Sequence, residues 1–239
     1  MIENTQKPEP PIKSTGDVLE VHSVWDTIQG EGPSAGMPAT FIRLAGCNLQ
    51  CVFCDTEYTE GRQSLSISSL MEQVEALPRR RLVVITGGEP FRQNLNGLIT
   101  FLVESGRQVQ IETNGILPPS RGFCYHRNDV QIICCPKTSK VDADLARRTH
   151  SFKYVVKAGS VDLEDGLPTV GVGGDRYGRP ARPPGFKPTW QVCTNQIFLQ
   201  PLDEQDEEKN KANQRAAVES CLKFGYRFTP QIHKMVGLP

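Results

Sequence analysis

The chain has 239 residues, with 27 Lys plus Arg against 27 Asp plus Glu and a formal net charge of zero. That length suits a single sizeable core, and the balanced charge supplies no global field to draw in nucleic acid or an anionic membrane. No apolar run approaches the roughly 20 residues that span a bilayer, and eight cysteines in a long chain with a patterned interior read as thiols in a reducing, cytoplasmic setting, not as a disulfide scaffold.

Met1 to Gly16 are polar, carry Pro8, Pro10 and Pro11 and lack the apolar stretch of a secretory signal, so they read as a disordered tail (1–16) before one domain over 17–239. β-branched and aliphatic runs predict strands at Val18–Trp25, Thr40–Leu44, Leu82–Thr86, Val109–Thr113, Val130–Cys134, Tyr154–Val156, Ile197–Gln200 and Arg227–Ile232. Ile67, Leu70, Met71, Val74 and Leu77 fall at helical spacing. So do Leu95, Leu98, Ile99 and Leu102, in a helix that should end near Gly106, and Asn210 to Phe224 reads as a helix stopped by Gly225. The window 166–188 holds 11 Gly or Pro in 23 residues together with Arg176, Arg179, Arg182 and Lys187, which predicts a loop or insertion, a solvated connector in preference to a lid. Alternating strands and helices predict an α/β fold with parallel strands in about six crossover units and chemistry at the carboxyl ends of the strands.

Cys47, Cys51 and Cys54 stand close together just after the second predicted strand. Three thiolates from one loop suit three irons of a [4Fe–4S] cluster, which normally takes four, and the fourth iron is left open for a ligand that is not protein. A zinc knuckle borrowing His22, His126, Cys134 or Cys135 is the bland alternative, disfavoured because structural zinc motifs bring a second ligand pair at short, fixed spacing. Cys124, Cys193 and Cys221 read as small buried apolar residues.

The C-x3-C-x2-C spacing, followed by Thr86-Gly87-Gly88-Glu89-Pro90, resembles the radical S-adenosylmethionine (SAM) enzymes. That resemblance implies an incomplete (β/α)6-type barrel, with SAM chelating the open iron and one electron cleaving it to a 5′-deoxyadenosyl radical. Flanking segments narrow it: Trp25 to Gly32, Thr40 to Cys47, Cys54-Asp55-Thr56, Ile111 to Gly115, Cys135-Pro136-Lys137, Leu199-Gln200-Pro201 and Gln231 to Lys234. In order, from Val18 to Pro239, the set resembles the 7-carboxy-7-deazaguanine synthase family. The resemblance implies ring contraction of 6-carboxy-5,6,7,8-tetrahydropterin with loss of ammonia, a carbon–nitrogen lyase reaction on the route to queuosine. It also implies a Mg²⁺ ion, a flavodoxin-type electron donor and a homodimer.

Residue by residue, the resemblance gives the cluster to Cys47, Cys51 and Cys54, and Mg²⁺ to Thr56, for which a turn or N-cap role is the simpler reading of the residue itself. It gives the substrate to Ile28, Gln29, Gly30, Glu31, Arg43, Thr86, Gln231, His233 and the terminal carboxylate of Pro239. Glu31 stands evenly between accepting from the pterin and capping a turn. Arg43 lies in a strand that is otherwise apolar, and its fork suits the substrate carboxylate; the alternative is a surface ion pair. SAM falls to Gly88, to Cys135, Pro136 and Lys137, and to Gln200, Pro201, Leu202 and Asp203. Cys135 stands where the family has Ser, and a thiol bonds more weakly than a hydroxyl. No protein acid or base is assigned. A glycyl-radical-enzyme activase shares the cysteine spacing and is the second enzymatic reading; a non-catalytic iron–sulfur or zinc module is the third.

Overall fold

The computed structural model describes residues 4–123, 128–171, 177–186 and 196–239. Among the described residues nine strands form one sheet: β1 (Val18–Ile28), β2 (Pro38–Leu44), β3 (Gln63–Ser66), β4 (Leu82–Gly87), β5 (Gln108–Thr113), β6 (Val130–Cys134), β7 (Ser151–Val156), β8 (Ile197–Pro201) and β9 (Arg227–Phe228). The strand order is β3-β1-β2-β4-β5-β6-β7-β8-β9. From β2 to β9 every neighbouring pair is parallel, which gives six parallel pairings and an open, partial barrel. At the other edge β1 runs antiparallel to β2 and to β3.

The helices are α1 (Ile67–Glu75), α2 (Asn96–Glu104), α3 (Ala143–Arg148), α4 (Glu207–Phe224) and α5 (Ile232–Met235). Local chemistry sets their ends. Ser66 Oγ accepts from Ser69 N–H at the start of α1, and Asp142 and Asp206 cap α3 and α4 in the same way. Gly225 ends α4 at φ 76°, a left-handed position that glycine occupies without a Cβ penalty. Among the described residues no helix is long and apolar enough to cross a membrane.

Alternation along the strands divides the sheet into two faces. Ile42, Leu44, Val83, Ile85, Val109, Ile111 and Ile132 pack with Leu70, Met71 and Val74 of α1, Leu98, Ile99 and Leu102 of α2 and Leu145 of α3. Farther along, Phe152, Tyr154, Val156, Ile197 and Leu199 pack with Ala217 and Cys221 of α4. On the opposite, inner face Ala39, Leu82 and Val84 meet Phe41 in a small core low in the sheet. The apolar run Leu82 to Ile85 is therefore shared between two cores.

Three expectations change. The segment taken as a disordered tail is bonded to the body from Asn4 onward: Glu9 N–H donates to the Cys47 carbonyl at 2.7 Å and Ile12 N–H to that of Arg92 at 2.7 Å. Its polar side chains found specific partners that composition does not display. The strand expected at Arg227–Ile232 ends at Phe228, because Pro230 has no N–H for a ladder and Ile232 begins α5. The described parts of 166–188 form no long element, yet they are fastened to the body: Arg182 pairs with Asp165 at 2.9 Å, and Tyr177 Oη accepts from Gln50 N–H at 2.9 Å. Cys124, Cys193, His126, Arg176 and Lys187 lie outside the described residues.

Candidate active site

The loop after β2 carries the three cysteines. Cys47 packs with Leu49 and Tyr58, and Cys51 and Cys54 border the same small cluster. Burial, and then the Glu89 carboxylate, push the Cys47 thiol up to about 12. Burial also raises Cys51 and Cys54. Thiols of this kind become thiolates when a cationic centre displaces their protons. Among the described residues no three His, Cys, Asp or Glu side chains gather as ligands of a single ion. A cluster asks for a different arrangement, since each thiolate holds its own iron.

The next loop, after β4, comes in against this one. A Cβ on Gly88 would strike the Gly46 carbonyl and come within 2.9 Å of Cys47 Cβ, so only glycine allows this approach. Glu89 is fully buried and accepts from Thr113 Oγ1 at 2.7 Å, Asn114 N–H at 2.8 Å and Phe91 N–H at 3.0 Å. Burial still dominates and raises its carboxyl to about 7.

On the inner face, above the low apolar core, lie the polar side chains. Arg43 and Thr86 are register partners on β2 and β4. The Arg43 guanidinium sits 4.8 Å over the Trp25 ring, and its buried Nε has no hydrogen-bond partner among the described residues. Burial lowers its pKa against the opposing charges of Asp55, Cys54 and Glu112. Arg43 therefore faces the site, which sets aside a surface ion pair. The low position of Gln29, its amide donating to Glu112 Oε1 at 3.0 Å, joins the loop after β1 to β5. Gln110 donates to the same oxygen at 3.1 Å.

Lys153 of β7 is nearly fully buried between Glu31, to which it is ion-paired, and Glu112 at 3.7 Å. Burial would lower its pKa, but Cys135, Glu112 and Glu31 hold it well above the ordinary lysine value. For Glu31 burial works upward, and the Lys153 ammonium with bonds from Lys153 and Gln231 brings the net shift down. Gln231 Nε2 donates to Glu31 Oε1 at 2.8 Å. Among the described residues Glu31 caps no turn through its side chain, which sets aside the turn-capping role. Lys153 and Glu112 were not singled out from the sequence. The available signal was a charge inside an apolar strand, the same signal that marked Arg43.

The C-terminal segment closes over Gly30. Ile232 N–H donates to the Gly30 carbonyl at 3.0 Å, and a Cβ on Gly30 would run into the His233 ring. Burial lowers the His233 pKa, partly offset by Glu31. Thr27 Oγ1 donates to a Pro239 oxygen at 3.3 Å, so Pro239 lies beside the end of β1.

At the far strands, Cys135 N–H donates to the Thr113 carbonyl at 2.7 Å and its thiol is buried near Lys153. Lys137, after Pro136, faces Cys135, Cys51 and Cys54, whose charge outweighs burial and raises its pKa. Gln200 is buried, its Oε1 without a partner among the described residues, and Leu202 N–H donates to the Val156 carbonyl at 2.8 Å, just past Pro201. Asp203 accepts from Asn210 Nδ2 at 2.9 Å and pairs at 3.0 Å with Lys234, which also pairs with Asp55 at 2.9 Å. Thr56 Oγ1 lies 3.4 Å from Asp55, its nearest hydrogen-bond partner. Cys134 packs in the helix-covered core with Phe152, Tyr154 and Cys221.

Residues 41–122 match the Radical SAM superfamily. The chain is 37% identical to 7-carboxy-7-deazaguanine synthase of Rhodospirillum rubrum, covering 95% of this chain and 96% of that protein. Against the protein of the same name from Rickettsia prowazekii the identity is 35%, covering 95% and 92%. The crystal structure of QueE from Escherichia coli has the same fold, with a TM-score of 0.65 at 22% identity over 90% of this chain and 95% of that one.

Proposed function

Because the chain belongs to the 7-carboxy-7-deazaguanine synthase family of the radical SAM superfamily, we propose that it contracts the ring of 6-carboxy-5,6,7,8-tetrahydropterin to 7-carboxy-7-deazaguanine, releasing ammonia, for queuosine synthesis. The observation that carries the reading is the meeting of three clustered thiols, one buried and two half-buried, with the desolvated Arg43 guanidinium, whose Nε has no partner among the described residues and whose charge faces Cys54. A cluster with SAM supplies, when bound, the one-electron chemistry that starts the reaction.

Cys47, Cys51 and Cys54 hold the cluster. Gly88 lets the second loop approach it, and Cys135, Pro136, Lys137, Gln200, Pro201 and Leu202 line the SAM side; Asp203 acts there by closing the chain onto α4 and Lys234. Arg43, with its stacked and desolvated guanidinium, grips the substrate carboxylate as a fork, and Thr86 beside it shares the contact. Thr56 would hold a Mg²⁺ ion, which would supply a second positive charge for that carboxylate. Gln29, Gly30 and Ile28 offer main-chain and amide groups to the pterin edge. Glu31, held ionised by Lys153, accepts from its donor-rich side. Gln231 and His233 shut the pocket over Gly30, and the Pro239 carboxylate approaches from beside Thr27. These residues orient the substrate and exclude water, which is the protein's share of such catalysis. A flavodoxin-type donor, a homodimer and a cytoplasmic setting complete the proposal.

The test is anaerobic incubation with SAM, reductant, Mg²⁺ and the carboxytetrahydropterin, with mass detection of product. The deazaguanine should form, and omitting Mg²⁺ should slow it. SAM cleavage without any deazaguanine would overturn the substrate assignment.

A further inference from the structure

The loop that carries the cysteines, residues 45–62, contains no helix or strand. A loop without a ladder must find partners for its backbone groups elsewhere. Its own contribution includes Cys54 N–H to the Cys51 carbonyl at 3.2 Å and Gly46 N–H to the Tyr58 carbonyl at 3.0 Å. Much of the rest comes from the first residues of the chain. Asn4 is buried, and its Nδ2 donates to the Cys51 carbonyl at 3.0 Å. Its own carbonyl accepts from Gln50 Nε2 at 3.0 Å. Gln6 works in both directions, donating to the Thr56 carbonyl at 2.8 Å and accepting from Tyr58 N–H at 2.9 Å. Glu9 N–H donates to the Cys47 carbonyl at 2.7 Å.

Resting on the functional reading above, we propose that Asn4, Gln6 and Glu9 are positioning residues for the iron–sulfur cluster, forming a strap that fixes the ligand loop from its outer side. The strap holds the carbonyls of two cysteine ligands and that of Thr56, two residues after the third. It is itself anchored where it leaves the loop: the Glu9 carboxylate joins Arg62 at 2.6 Å and Arg92 at 2.8 Å, and Arg92 Nη1 donates to the Ala45 carbonyl at 2.8 Å. Arg92 is itself buried, so the anchor is built into the body of the fold. Groups that orient ligands from behind typically change metal retention about 10–100-fold when removed.

The test compares the full chain with the double variant Asn4→Ala plus Gln6→Ala. Thr15→Ala serves as a control, since it alters the same segment away from the loop. Each is reconstituted without oxygen, and iron release to a chelator, the electron paramagnetic signal of the reduced cluster with and without SAM, and the melting of cluster-free protein are recorded. Iron release about 10–100-fold faster than wild type, with an altered signal, is expected in the double variant alone, while cluster-free melting stays within a degree or two. Equal iron release and an unchanged signal would overturn the strap. So would a cluster-free melting temperature that falls in step with retention, since the segment would then act on the whole fold. A wild-type chain that binds no cluster would overturn the strap and the functional reading together, so the two failures are distinguishable.

Discussion

Along β5, Val109 and Ile111 are packed under the helices, while Gln110 and Glu112 between them share a hydrogen bond on the other face. Along β7 the same division places Phe152, Tyr154 and Val156 in the helix-covered core and Lys153 in the buried charged network. A strand's period of two lets adjacent residues serve separate ends. One face supplies the hydrophobic stabilisation of the fold, and the other holds polar groups that the fold must desolvate in order to place. Substitutions one residue apart should therefore move different observables.

The sharpest break between the two is expected at the cysteine loop. Cys54→Ala removes one thiol that is half-buried and outside the helix-covered cores. Anaerobic assays should find deazaguanine formation abolished, with the melting of cluster-free protein nearly unchanged. Substantial residual turnover would contradict the cluster assignment.

Lys153→Met tests whether the inner face also carries stability. The methionine fills most of the space, but Glu31 and Glu112 lose the ammonium between them. Removing one partner from a buried ion pair costs about 3–5 kcal/mol, to be read as a lower urea midpoint. A change under about 1 kcal/mol would mean that the network is solvated and pairs as surface charges do.

Glu89 gives the comparison a pH dependence. Its buried carboxyl titrates at about 7 when folded, raised from an ordinary 4.5. A folded value above the unfolded one means stability that is full below pH 4.5 and lost as pH rises through 7. The span is up to about 3 kcal/mol at 1.36 kcal/mol per unit. Urea unfolding of cluster-free protein at pH 5 and pH 8 measures it, and Glu89→Gln should flatten the difference. A flat profile in the unsubstituted chain would show that the three hydrogen bonds offset the burial.

Arg43→Lys keeps the charge and loses the planar fork and its stacking on Trp25. A carboxylate gripped at one point instead of two is misplaced, and misplacement on that scale costs roughly 10²-fold in kcat/KM. The urea midpoint should hardly move. A loss of stability without a loss of kcat/KM would return Arg43 to a structural role.

The sequence made the outer face readable because apolar runs and helical spacing report burial directly: Ile111, Ile132 and Leu199 all lie where their pattern put them. The strand β3, Gln63–Ser66, carries one aliphatic residue and gains its pairing from Val18 to Val21, so no local pattern marked it. The inner face was readable as residue types but not as partners. Lys153 meets Glu31 across 122 positions of chain, and such a pairing follows from strand register, which composition does not contain. The docking of Asn4 and Gln6 was hidden for the same reason, since their partners are backbone carbonyls of a distant loop.

The smallest effect probes the outer face next to the buried polar network. Ile111 is fully buried against the helices, one residue before Glu112. Ile111→Val deletes one methylene, and where neighbours relax only in part this costs about 0.5–1.5 kcal/mol. The backbone of β5 is held on both sides by parallel ladders to β4 and β6, so Glu112 should keep its place while the side-chain core loosens. The urea midpoint should fall by that amount, with kcat and KM per folded molecule unchanged. A tenfold loss of kcat/KM with no shift in the midpoint would show that packing beneath the sheet steers Glu112 directly, and the division of work between the faces would fail at the strand where it is drawn most clearly.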